Sequence, residues 1–68
     1  MGIHCRLAVV LAEKQMSLTE LSEKTGIALN NLSILKTDKA KAVRFTTLTE
    51  ICKALECQPG DLFVYKDD

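Results

Sequence analysis

Two stretches of helical periodicity abut, with only Gly26 and Ile27 between them, and that junction constrains the fold more than anything else in the chain. The first stretch opens at Ser17-Leu18-Thr19-Glu20, a capping box. The Ser17 hydroxyl can accept from the backbone N–H of Glu20, and Glu20 can reach back to the N–H of Ser17. Leu18, Leu21, Ser22 and Thr25 then fall on one side at 100° per residue. Gly26 suits the residue after a helix end, where a left-handed conformation costs a glycine nothing. A second helix is expected over residues 28–36. With Leu32 at the core, Ala28 and Leu35 fall beside it, and Asn30, Ser33, Ile34 and Thr37 fall opposite. A connection this short makes the two helices cross steeply. Close approach then favours a small inner residue, which Ser22 supplies. The second helix keeps one face on the core and leaves the other free.

The remaining segments can cover the apolar stripes behind this pair. A helix over about residues 6–15 carries Leu7, Val10, Leu11 and Lys14 at core spacing, with the Lys14 stem able to lie along the stripe. Residues 38–46 lack helical periodicity and read as a loop. Thr47-Leu48-Thr49-Glu50 is a second capping box, expected to open a helix that buries Leu48, Ile51, Cys52 and Leu55. Gln58-Pro59-Gly60-Asp61-Leu62-Phe63 reads as a short final helix with Pro59 at its first position. Ile3-His4-Cys5-Arg6 alternates apolar and polar residues, as a short strand does. Val64-Tyr65-Lys66 is its natural partner. The expected fold is all-α, five helices with short terminal β-strands, in one domain over residues 1–68 with the abutting pair at about 17–36.

Composition excludes several classes. A chain of 68 residues has room for one small core, and at this size only about 60% of the unfolded surface is buried, so association helps. No apolar run approaches the roughly 20 residues that span a bilayer, and no signal peptide is visible, so the expected location is cytoplasmic. Cys5, Cys52 and Cys57 make an odd count, which fits reduced thiols better than a disulfide framework. Their spacing does not match a zinc site, and no metal or other cofactor is expected. His4 is the only histidine. No nucleophile–base set, carboxylate pair or phosphate-cradling glycine loop accompanies it, so catalysis is not expected. The formal net charge is zero, which argues against a nonspecific nucleic-acid coat but leaves room for a local basic patch. Lys36, Lys39, Lys41 and Arg44 form such a patch, against the single acid Asp38.

The stretch from Met16 to Ala40 resembles the helix-turn-helix of the Cro and CI-type phage repressor family. The residues that carry the likeness are Ser17, Glu20-Leu21, Gly26-Ile27, Leu32-Ser33 and Leu35. Lys39-Ala40-Lys41-Ala42-Val43-Arg44-Phe45 resembles the basic loop after that family's recognition helix. Thr47-Leu48 through Ala54-Leu55 is similar to its fourth helix, and Pro59-Gly60-Asp61-Leu62-Phe63 to its last. The likeness runs from about residue 7 to residue 65 and is nearest the short bacterial branch made of this domain alone.

The resemblance implies a homodimeric, double-stranded-DNA-binding transcriptional regulator whose third helix enters the major groove. Base readers carried over by position are Ala28, Leu29, Asn30, Ser33 and Ile34. Phosphate contacts are Ser17, Asn31, Lys36, Thr37, Lys39, Lys41 and Arg44. The family often has glutamine at the position of Leu18 and serine or threonine at that of Ala28, so base preference is expected to differ from its better-matched members. An asparagine amide can pair with adenine N6 and N7, a serine reaches either kind of base edge, and apolar side chains touch thymine methyls. Leu29 and Ile34 suit thymine methyls, the core or a protein partner equally. Val9, Phe63, Val64 and Tyr65 are the dimer candidates, although Phe63 and Tyr65 could instead close the monomer core. No membrane or small-molecule ligand is implied, and repression by occupancy needs the fewest additional parts. The alternative is a protein-interaction module on the same fold, an antitoxin or an anti-repressor adaptor, which zero net charge and the apolar outer residues would suit.

Overall fold

The computed structural model describes residues 2–67. The elements run β1 (Ile3–Cys5), α1 (Leu7–Glu13), α2 (Leu18–Thr25), α3 (Leu29–Lys36), α4 (Phe45–Leu55), α5 (Pro59–Leu62) and β2 (Phe63–Tyr65). The strands pair antiparallel, with Ile3 opposite Tyr65, His4 opposite Val64 and Cys5 opposite Phe63. This small sheet ties the two ends of the described chain together.

One core holds the helices. Leu7, Val10 and Leu11 come from α1, Leu21 from α2, Leu32 and Leu35 from α3, Ile51 and Leu55 from α4, and Leu62 from α5. No polar or charged residue is buried among the described residues, so the core stands on apolar burial and packing. The helix α2 packs on both α3 and α4, which makes it the centre of the fold.

The turn between α2 and α3 follows the sequence closely. Ser17 Oγ accepts the Glu20 N–H at 3.0 Å. The Glu20 carboxylate lies 4.0 Å from Lys24. Gly26 takes φ 75° and its N–H bonds the Ser22 carbonyl. Ser22 is placed at the inner face and does more than leave space. Its hydroxyl donates to the Ile27 carbonyl at 2.6 Å, while the Ile27 N–H donates to Thr25 Oγ1 at 3.2 Å. Both backbone polar groups of Ile27 thereby find side-chain partners within the turn.

Several boundaries differ from expectation. The helix α1 ends at Glu13, so Lys14 lies past it and is exposed instead of laid along the stripe. The helix α3 begins at Leu29, and Ala28 is an exposed residue at its start instead of a core neighbour of Leu32. Thr47 caps nothing, because α4 begins at Phe45 after an extended Arg44. The second capping box is therefore interior helix, and Thr49 Oγ1 donates back to the Phe45 carbonyl at 2.8 Å. A polar quartet with capping spacing loses to a start that leaves the Ile51–Leu55 stripe in place and adds a helical turn before it.

Three helices end in the same unexpected way. Gln15, Asp38 and Glu56 adopt φ values of 55°, 61° and 52°. After each, an N–H returns to a carbonyl five residues back: Met16 to Leu11, Lys39 to Ile34, and Cys57 to Cys52, at 3.0, 3.0 and 3.1 Å. This is the Schellman ending, which usually employs glycine.

Candidate nucleic-acid interface

Leu32 and Leu35 fix one face of α3 to the core, and the opposite face meets solvent. Asn30 and Asn31 are exposed and Ser33 is half-buried. Leu29 and Ile34 remain 45% and 42% exposed, so the monomer core does not absorb them. Ala28 provides no side-chain cap. The first N–H groups of α3 are therefore not screened by a capping side chain.

The basic loop folds beside this helix. Asn31 and Ile34 of α3 line a groove of about 490 Å³ with Lys39, Lys41 and Arg44 from the loop and Thr47 from α4. Sequence reasoning placed Asn31, Ile34 and the three cations in one site but did not include Thr47, whose role as a presumed cap hid it. Lys36 is exposed in the last turn of α3, outside that groove. Among the described residues, no salt bridge joins Lys36, Lys39, Lys41 or Arg44 to an acid.

The acid in this stretch is otherwise engaged. Asp38 Oδ1 accepts the Cys5 N–H at 2.9 Å, and Oδ2 meets His4 Nδ1 at 3.0 Å. The Cys5 hydrogen bond first, and the His4 contact second, hold the Asp38 carboxyl below the ordinary aspartate range. Asp38 thus ties the end of α3 to β1. A separation of 33 residues left this link without any local sequence signal.

The two hydroxyls expected at phosphates differ in readiness. Ser17 accepts from Glu20, which leaves its own proton free to donate to an anion. Thr37 Oγ1 already points its proton at its own helix, 2.9 Å from the Ser33 carbonyl and 3.3 Å from that of Ile34. Among the described residues, no group of three or more His, Cys, Asp or Glu side chains is arranged to hold a metal ion. Nor, among the described residues, is any helix long and apolar enough to cross a membrane.

A tight turn, a core-anchored third helix with an open face and a basic loop beside it define a helix-turn-helix nucleic-acid-binding domain. The chain belongs to the Cro/C1-type HTH DNA-binding domain family, whose description matches residues 6–68. This family comprises non-enzymatic regulators. Over its full length the chain is 59% identical to the uncharacterised HTH-type transcriptional regulator YozG of Bacillus subtilis (strain 168), covering 81% of that protein. Among solved structures it is similar to a candidate DNA-binding protein from Bacteroides fragilis, with TM-score 0.79 and 29% identity over 91% of this chain and 98% of that one. It is also similar to the transcriptional regulator VanUg, with TM-score 0.76 and 25% identity over 100% of this chain and 92% of that one.

Proposed function

We propose that this chain is a sequence-specific, double-stranded-DNA-binding transcriptional regulator, acting in the cytoplasm as a homodimeric repressor that inserts α3 into the major groove. The supporting observation is the two-sidedness of α3: buried leucines on one flank, and on the other exposed Asn30 next to a groove lined by Lys39, Lys41 and Arg44. Asn30 reads adenine through its amide, and Ser33 contributes a weaker preference. Leu29 and Ile34 meet thymine methyls, and Ala28 allows close approach at the helix start. Asn31, Lys36, Lys39, Lys41 and Arg44 hold phosphates and fix register. Ser17 donates a hydroxyl proton to a phosphate at the start of α2. Thr37 joins them only by giving up its bond to α3.

A dimer supplies the second half-site. Two recognition helices about 34 Å apart match successive turns of one groove face. Val9 and Tyr65 are 44% and 69% exposed and suit contact with a second copy, whereas Phe63 and Val64 are half-buried and serve it less directly. Phe45 is a further candidate that sequence reasoning did not include, being 85% exposed at the start of α4.

The test is a gel shift on the DNA upstream of the chain's own reading frame, over a salt series, with scrambled DNA as control. The expected result is preferential binding that weakens with salt at a slope near −0.9 per phosphate contact. No binding at low salt would support the alternative, an interaction module that uses Leu29 and Ile34 on a protein partner.

A further inference from the structure

We infer that Cys52 and Cys57 form an oxidisable dithiol, a modification site at which a disulfide closes in place across the end of α4. The backbone creates the pairing. Glu56 takes the left-handed conformation, and the Cys57 N–H bonds the Cys52 carbonyl at 3.1 Å. In a Schellman ending, the two residues joined by this bond are those whose side chains characteristically touch. Here both are cysteines. That main-chain hydrogen bond holds the two backbones side by side, and a disulfide needs Cα atoms within about 4.4–6.8 Å of each other.

The surroundings agree with the backbone. Both cysteines are half-exposed, and both line the groove beside Phe45. An oxidant can therefore reach them without unfolding the domain. Burial first, and the Cys52 side chain next, push the Cys57 thiol above its ordinary value. Cys57 is accordingly a slower nucleophile than an ordinary cysteine. Cys5 sits apart on β1, in a different pocket lined by Leu35, Val43 and Phe63.

The oxidant is hydrogen peroxide. One thiolate attacks the peroxide oxygen, the O–O bond breaks, water leaves, and sulfenic acid forms. The second thiol attacks that sulfur, the S–S bond forms, and a second water leaves. Two thiols lose two electrons and two protons, and the peroxide gains them.

The experiment treats the reduced, purified chain with hydrogen peroxide, alkylates the remaining thiols, and reads intact mass and tryptic peptides. Lys53 lies between the two cysteines, so trypsin leaves the bond as two joined peptides. The expected product is a monomeric chain lighter by two hydrogen atoms, alkylated only at Cys5, with the peptide ending at Lys53 linked to the one containing Cys57. Its helical circular dichroism is unchanged, and Cys5→Ser still forms the bond while Cys52→Ser does not. Alkylation at all three cysteines, a bond involving Cys5, a bond only between chains, or loss of helicity on oxidation would each overturn the inference.

Discussion

Asp38 shows how much a single residue can do without leaving a trace in local sequence. It ends α3 in a left-handed conformation and accepts from β1 with both carboxylate oxygens. Its folded-state pKa is lowered, by the Cys5 N–H first and by His4 second. A depressed carboxyl contributes stability that is present above its unfolded value, 3.8, and that is lost as pH falls through the folded value. Acid melts should therefore show stability declining below about pH 4, and Asp38→Asn should flatten the decline while lowering stability at neutral pH. Gln15 and Glu56 share the backbone conformation without that compensation. A left-handed non-glycine residue costs about 1–2 kcal/mol, and glycine returns roughly 0.5–1 kcal/mol of that as lost chain entropy. Gln15→Gly should accordingly raise the melting temperature slightly, by the equivalent of about 0.5–1 kcal/mol. These endings were illegible because the sequence places no glycine at them. The Gly26 ending, which has one, was legible.

Among the elements, α2 and α3 were read nearly to the residue, since a side-chain cap, a glycine stop and leucine spacing all agreed. At Gly26, an added Cβ would meet nothing within 4 Å. Gly26→Ala should therefore cost only its backbone strain at positive φ, about 1 kcal/mol, visible in a denaturant melt. Leu32→Ala is a different matter. Leu32 is fully buried in the core under α3, and such truncations cost about 2–5 kcal/mol. For a domain whose total stability is on the order of 3–10 kcal/mol, circular dichroism should find this variant largely unfolded or close to it. The start of α4 was misread because capping preference is weak beside tertiary packing. Once α4 begins at Phe45, Thr47 becomes free to join the basic groove, and the candidate interface gains a member that local pattern had assigned elsewhere.

At the scale of the whole molecule, zero net charge coexists with an exposed basic loop because the acids lie elsewhere and Asp38 is tied to β1. Nonspecific affinity should consequently be modest, and specificity must come from α3. Lys39→Ala should weaken binding to all duplexes alike and make the salt slope shallower by about 0.9. The outer face of α3 and its leucine anchors could be read in sequence as periodicity. How the loop, Thr47 and β1 assemble around it could not, since those contacts join distant segments.

The most direct test of the central claim, that the open flank of α3 reads bases, is selection of binding duplexes from a random pool by the wild-type chain, Asn30→Ala and Lys39→Ala. The expected wild-type result is a palindromic site. Asn30→Ala should lose preference at one base pair per half-site, corresponding to about 1–3 kcal/mol of discrimination, while Lys39→Ala keeps the site and binds it more weakly. Identical base preferences for the wild type and Asn30→Ala would contradict the account.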